Sequence, residues 1–393
     1  MSATADPGGA AARAHGAAGR GAGPTVGELG EAALLARIIP LLPAGRGTWL
    51  GPGDDAAVLA FPDGRAVVTT DVLVEGRHFR RDWSQAADVG WRAAQQNLAD
   101  VVAMGARPLA LVVALALPPA TPAVWAEGLA RGLAEACRPW DVGVVGGDLS
   151  AGSEITVAVT ALGDLEGRAP VTRGGARAGH RLALAGQTGW SAAGHAALAA
   201  GWARDGLGPG GGTERRGSAG GGEASAGGAR AGVGGAGRPA SHAEGGVREV
   251  ARRAIGLFLR PDSPLGAGIA AAQAGATAML DVSDGLVRDG ARLAAASGVT
   301  VDLDPAAAGL AGPLAALGPL AGALGADARE WVLAGGEDHA LLAAFPPGAA
   351  LPAGFAWVGR VLEPGPGGAR RAGGLSVGGT PWTGGRGWDH FER

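Results

Sequence analysis

The chain has 393 residues, 47% of them hydrophobic, a formal net charge of -3 and one cysteine, Cys137. The length exceeds what one hydrophobic core usually serves, so two domains are expected. No apolar run approaches the roughly 20 residues of a membrane-spanning helix. No basic stripe suits nucleic-acid phosphates, and a lone cysteine excludes an intrachain disulfide framework or a cysteine-rich zinc site and fits a cytoplasmic location. Every basic residue outside the histidines is arginine, for lysine never occurs. P-loop and protein-kinase chemistries both place a lysine on phosphate, so phosphate charge here must be met by metal, backbone or arginine.

Residues 1–24, rich in Gly, Ala and Arg, lack the apolar core of a secretory signal and are expected to be a disordered tail. Order is expected from Thr25, where Thr25 and Glu28 have capping-box spacing ahead of Leu34, Leu35, Ile38 and Ile39 at helical period. Then come β patterns at 56–60 and 65–70, a helix from Asp88 to Gly105, strands at 109–117, 142–145 and 155–162, and a helix over 122–136. This first block, 25–165, reads as α+β. Past Arg173, a strand at 181–185, helices from Ser191 and Val247, a strand at 276–282, a helix from Gly285 and a strand at 299–303 suggest a second, α/β-type domain, 166–393. Inside it, 205–246 is dominated by Gly, Ala, Ser and Arg and is expected to be a disordered surface insertion. Such an insertion is thermodynamically cheap, because loop-closure entropy grows slowly with length.

The chemical signal is a set of carboxylates placed where β patterns end or helices face inward. Asp54 and Asp55 sit in the glycine turn Gly51-Pro52-Gly53; Thr69-Thr70-Asp71 closes a strand with three oxygen donors. Asn97 and Asp100 lie three apart on an otherwise apolar helix and so share a face. Gly146-Gly147-Asp148 puts an acid just beyond a strand, and Gly335-Gly336-Glu337-Asp338 follows the apolar Trp331-Val332-Leu333. In Leu280-Asp281-Val282-Ser283-Asp284-Gly285-Leu286, alternation puts Asp281 and Ser283 on one face, the turn brings Asp284 close, and a helix N-terminus opens alongside. Each string alone is also what an ordinary turn or N-cap needs. Together, acids in both blocks without basic partners beside them call for cations. Oxygen-only ligands point to Mg²⁺ or a similar hard ion, and clustered Mg²⁺ points to phosphate transfer.

The ordered strings GDDAAV (53–58), TTDVLVEGRHF (69–79), NLADVVAMGARP (97–108), GGDL (146–149), LDVSDGL (280–286), AGGEDHAL (334–341) and GWDHF (387–391) resemble the thiamine-monophosphate kinase family over roughly 27–391, the insertion excepted. The resemblance implies an aminoimidazole-ribonucleotide-synthetase-like architecture: an N-terminal α+β domain whose sheet pairs across a homodimer, a C-terminal α/β domain, and ATP between them. It implies Mg²⁺ ligands at Asp55, Thr69, Thr70, Asp71, Asp100, Asp148, Asp281 and Asp284, with Asp54 beside them. Gly147, Asp148, Arg173 and Ser283 would contact ATP, and His78, Glu337 and Trp388 would face thiamine monophosphate. The expected reaction is in-line transfer of the γ-phosphoryl group to thiamine monophosphate. Related alternatives are an ATP-dependent synthetase and a non-catalytic maturation protein. GWDHF favours the kinase over the synthetase, and the intact acid set argues against a non-catalytic scaffold.

Overall fold

In a computed structural model, described over residues 23–52, 56–204, 240–365 and 372–387, two sheets share one central helix. The chain enters through helix α1 (Val26–Ile38), whose capping box is formed on both sides, Glu28 N donating to Thr25 Oγ1 and Thr25 N to Glu28 Oε2. Pro24, assigned to the tail, accepts a hydrogen bond from Ala123 N through its carbonyl, so order starts slightly earlier than expected. A small hairpin, β1 (Thr48–Leu50) and β2 (Val58–Leu59), precedes the first large sheet.

That sheet contains β3 (Val67–Val74), β4 (Arg107–Leu117), β5 (Gly143–Ala151) and β6 (Thr156–Asp164), in the order β3-β6-β4-β5. Helices α2 (Ala86–Ala103) and α3 (Ala123–Cys137) cover one of its faces. They approach closely because Gly90 and Gly132 carry no Cβ: one built there would lie 2.1 Å from the Leu129 carbonyl and 2.0 Å from the Ala87 carbonyl. Two expectations are corrected here. Strand β3 does not end at Asp71 but continues to Val74, and Asp148 lies within β5, paired with Ala114, rather than beyond it. After a register shift at Val145 the parallel β4–β5 ladder continues through Gly146-Gly147, a dipeptide that reads as a turn only when its partner strand is unknown.

The second sheet is built from β7 (Arg181–Ala185), β8 (Ala278–Val282), β9 (Thr300–Leu303), β10 (Ala340–Phe345), β11 (Phe355–Leu362), β12 (Leu375–Val377) and β13 (Thr380–Pro381), ordered β13-β12-β9-β11-β7-β10-β8. Its ladders are antiparallel apart from β9–β12. Helices α4 (Trp190–Ala199), α5 (Ala240–Leu259), α6 (Leu265–Gln273), α7 (Leu286–Ser297), α8 (Ala308–Leu324) and α9 (Ala328–Ala334) complete the block. Residues 240–246, assigned to the disordered insertion, are helical. Once the amphipathic turn from Val247 exists, propagation toward the N-terminus needs only one hydrogen bond per added residue.

Strands β7, β8 and β10 are buried on both faces. Ala183, Ala185, Met279, Leu341 and Ala343 join the core around α2, whereas Leu182, Leu184, Leu280, Leu342 and Ala344 join a second core under α4, α5, α7 and α9. Helix α2 is therefore flanked by β3, β4 and β6 on one side and by β8 and β10 on the other. That position buries even its polar residues, Asp88, Arg92, Gln95, Gln96 and Asn97. Among the described residues, no helix is long and apolar enough to cross a membrane.

Candidate active site

Three carboxylates reach the space between the sheets from three different elements: Asp71 from β3, Asp100 from α2 and Asp281 from β8. Thr69, on the same face of β3 as Asp71, donates from Oγ1 to Asp100 Oδ2 at 2.8 Å. Burial, and then the charges of Asp281 and Asp71, push the Asp100 carboxyl up to about 7, against the Thr69 hydrogen bond and His339. His339 Nδ1 lies 3.5 Å from Asp281 Oδ2. Burial pulls the His339 pKa down, but the Asp281 hydrogen bond and the charges of Asp281, Glu337 and Asp100 outweigh it and leave it raised. Among the described residues no three of His, Cys, Asp and Glu converge as a ready-made metal cage. The donor set nonetheless fits a hard cation: the oxygens are carboxylate and hydroxyl, and after burial the charges of Asp281 and Asp71, which a cation would offset, raise the Asp100 carboxyl.

Beside this group, the Ser283-Asp284-Gly285 turn opens α7. Two glycine strings interlock there through backbone hydrogen bonds: Glu337 N donates to Ser283 O at 2.8 Å and His339 N to Val282 O at 3.1 Å. Gly285 has φ 112, and a Cβ on it would sit 2.6 Å from the Ala334 carbonyl; a Cβ on Gly336 would sit 2.5 Å from the Ser283 carbonyl. Asp284 is not the partner-free acid the sequence suggested, since Arg292 Nη1 lies 2.6 Å from its Oδ2. Arg292 also bonds Asp289, whose carboxyl burial pushes up to about 6.

Glu337 and His78 line a cavity of about 530 Å³ together with Trp83, His195, Phe258 and Trp331. His78 Nδ1 accepts from Val74 N at 3.0 Å, which leaves the ring proton on Nε2. Glu337 Oε2 is 3.4 Å from Arg92 Nη1. Burial and the Arg92 charge hold the His195 pKa below its usual value. Gly387 also lines this cavity. The expected substrate contact Trp388 lies outside the described residues, as do Asp54 and Asp55.

Other expected site residues are not brought to this centre. Thr70 and Asp148 occupy register positions on the sheet face opposite Thr69 and Asp71. Gly147 and Asp148 border a different cavity, of about 820 Å³, lined by α1, α3, the β1–β2 hairpin and strands β4, β5 and β6. Gly147 cannot be anything larger, because a Cβ would lie 1.9 Å from the Val113 carbonyl. Arg173 is exposed, and its carbonyl accepts from Ser297 Oγ at the C-terminal end of α7. Ser283 stands at the other end of that 12-residue helix, about 18 Å away along its axis.

Comparison with known proteins agrees with this arrangement. The family described as AIR synthase related protein, N-terminal domain, matches residues 53–165. A thiamine-monophosphate kinase from Mycobacterium tuberculosis is 44% identical over 368 residues, 94% of this chain and 93% of the relative. The chain belongs to the thiamine-monophosphate kinase family. A crystal structure of thiamine monophosphate kinase from Aquifex aeolicus superposes with a TM-score of 0.61 at 28% identity, covering 82% of this chain and 90% of that one. A second structure, AaThiL complexed with AMPPCP and TMP, covers 93% of this chain and 98% of that one with a TM-score of 0.63 at 28% identity.

In this member of the thiamine-monophosphate kinase family Arg92, His195, Phe258 and His339 were not singled out from the sequence, and the role of Asp338 was not foreseen. The signal for Arg92 was present: Asp88, Arg92, Gln96 and Asp100 recur every fourth residue on α2, a polar stripe along one side of the helix. Asp338 is a buried cap for α4, accepting from Gly189 N at 2.6 Å and Ser191 N at 2.8 Å, and no local spacing announces a cap 147 residues away.

Proposed function

We propose that the chain transfers the γ-phosphoryl group of ATP to the phosphate of thiamine monophosphate, giving thiamine diphosphate and ADP. One observation carries the reading. The Glu337 N–H to Ser283 carbonyl bond joins the wall of the His78–Glu337 cavity to the turn beside Asp281, so acceptor pocket and acidic cluster share a single backbone scaffold. An oxygen of the acceptor phosphate attacks the γ-phosphorus, and the bond from that phosphorus to the bridging oxygen breaks as ADP leaves. A phosphate nucleophile is already ionised at neutral pH, so no strong general base is required.

The residues divide the work by chemistry. With its proton on Nε2, His78 is a donor suited to a phosphate oxygen, and the Glu337 carboxylate suits a cationic thiazolium. Asp71, Asp100 and Asp281, with Thr69 behind Asp100, would hold Mg²⁺, which when bound offsets repulsion between the two phosphate chains. Asp284 and Ser283 border the same turn. Asp54, Asp55, Thr70, Asp148 and Asp284 remain in the proposed metal set, Gly147, Asp148, Arg173 and Ser283 in the nucleotide set, and Trp388 in the acceptor set.

This reading takes 25–165 and 166–393 as two domains, each carrying one of the large sheets. A cytoplasmic location suits the single, buried Cys137. A second copy of the chain would cover the outer face of the first sheet, where Val68, Val72 and Val112 are exposed. Sedimentation velocity giving a monomer at micromolar concentration would remove the homodimer from the reading.

The activity is tested by following phosphorus. With γ-labelled ATP, label should appear in thiamine diphosphate with an equal amount of ADP. Labelled free phosphate without labelled thiamine diphosphate would indicate a synthetase, and release of neither a non-catalytic protein; each result overturns the proposal.

A further inference from the structure

Arg92 belongs to helix α2, yet its guanidinium reaches three walls of the 530 Å³ cavity, and its side chain is only 4% exposed. Nη1 donates to the His78 carbonyl at 2.7 Å and lies 3.4 Å from Glu337 Oε2. Nη2 donates to the Phe258 carbonyl, and the guanidinium carbon stands 4.5 Å from the centre of the Phe258 ring. The planar fork of arginine can satisfy these partners together, which a lysine ammonium cannot. Glu337 is the larger of the two charges that support Arg92 in its buried position, ahead of Asp88.

Glu337 needs such an anchor. Its backbone sits at φ 68, the left-handed region that non-glycine residues occupy only when their surroundings fix them. The Ser283 carbonyl holds its N–H and Arg92 holds its carboxylate. His78 is fixed similarly on the facing wall: Val74 N donates to its ring, and Arg92 binds its carbonyl. The two side chains proposed to meet opposite ends of the acceptor are thus set by one buried cation, which comes from a helix between the two sheets.

We propose that Arg92 is a positioning residue for the acceptor, holding Glu337 and His78 in register across the cavity so that acceptor binding, and not nucleotide binding, depends on it. The proposal rests on the acceptor assignment given above. Its test uses Arg92→Met, Arg92→Lys, Glu337→Gln and the double variant Arg92→Met/Glu337→Gln in the full chain. KM for each substrate is measured at saturating co-substrate, with calorimetric Kd for thiamine monophosphate and thermal unfolding in parallel.

Arg92→Met should raise KM and Kd for thiamine monophosphate about tenfold or more and leave KM for ATP within about twofold. Arg92→Lys, which keeps the charge without the fork, should show the same selectivity at about threefold or more. In the double variant the effects on Kd should combine to less than their product, because Arg92 acts through Glu337. Equal rises in both KM values, an unchanged Kd for thiamine monophosphate, or a fully multiplicative double variant overturns the proposal. If Arg92→Met does not fold, Arg92→Lys decides by the same ratio. A wild-type chain that binds thiamine monophosphate without phosphorylating it refutes the activity alone and leaves the Kd ratio to judge Arg92. A wild-type chain that does not bind it refutes both.

Discussion

Thr69 Oγ1 donates to Asp100 Oδ2 over 2.8 Å, tying strand β3 to helix α2 at the acidic cluster. A neutral hydroxyl orients the carboxylate there, and burial, followed by the negative neighbours Asp281 and Asp71, raises its pKa to about 7. In the folded chain the group therefore keeps its proton to higher pH than in the unfolded chain, and without a cation its contribution to stability falls as pH rises from the ordinary 3.8 toward 7. A bound cation must displace that proton. Mg²⁺ alone should consequently raise the thermal midpoint more at about pH 8 than at about pH 6. Equal shifts at the two pH values, or no shift at either, would remove Asp100 from the cation site.

The acidic cluster was legible in the sequence because its chemistry is carried by residue type. Asp100 and Asp281 stand out among apolar neighbours, Asp71 adds a carboxylate to two adjoining hydroxyls, and period-two and period-3.6 patterns place them. The ends of elements were less legible. Gly146-Gly147-Asp148 looks like a turn until β4 supplies its ladder, and Thr70 and Asp148 fall on the far face of a sheet whose register no local pattern reveals. In the second sheet β7, β8 and β9 were legible but β10 to β13 were not; β10 (Ala340–Phe345) is buried on both faces and shows no alternation. Helix α8 was missed because it holds Pro313 and Pro319, residues that usually argue against a helix interior.

Asp338 poses a contest between two physical effects. Burial pushes its carboxyl up to about 7, while N–H groups of Ser191 and Gly189 at the start of α4 favour the anion. Burial prevails, so between the ordinary 3.8 and about 7 the unfolded chain releases this proton while the folded chain retains it, and stability is lost as pH rises through that window. Asp338→Asn lacks the titration. The stability advantage of wild type over Asp338→Asn in urea unfolding should therefore shrink from about pH 5 to about pH 8. An advantage that grows with pH would mean the helix terminus holds the carboxylate ionised.

Two glycines separate backbone strain from steric conflict. Gly298 has φ 67 with nothing within 4 Å of a built Cβ, whereas Gly285 has φ 112 and would place its Cβ 2.6 Å from the Ala334 carbonyl. Gly298→Ala should cost about 1 kcal/mol, the strain of a left-handed alanine. Gly285→Ala adds a backbone clash at the joint between the Ser283 turn and the Glu337 loop, so its cost should exceed about 3 kcal/mol. Denaturant unfolding of the two variants checks the ranking, and equal losses would show that the joint yields easily.

Asp88 ties α2 to the chain on both sides of the 205–239 segment. It is fully buried, with Arg204 Nη1 at 2.6 Å from Oδ2, Arg260 Nε at 2.6 Å from Oδ1, and Gln85 N donating to Oδ2 at 3.0 Å. Burial raises its pKa, but the hydrogen bonds from Arg204, Arg260 and Gln85 N outweigh burial and leave it below the usual 3.8. Here the unfolded chain binds the proton more readily, so the stabilisation is complete above the unfolded pKa and disappears as pH falls through the folded one. Asp88→Asn leaves two arginines beside a neutral amide and should cost about 2–4 kcal/mol near neutral pH, somewhat below a wholly buried pair because both arginines reach solvent. Replacing 205–239 with a short Gly-Ser linker removes neither arginine and should change stability by less than about 1 kcal/mol. Urea unfolding of both variants at about pH 7 and about pH 3.5 provides the comparison, with the wild-type advantage over Asp88→Asn narrowing at the lower pH. A linker variant as unstable as Asp88→Asn would mean that residues 205–239, and not the Asp88 ion pairs, hold this edge of the fold together.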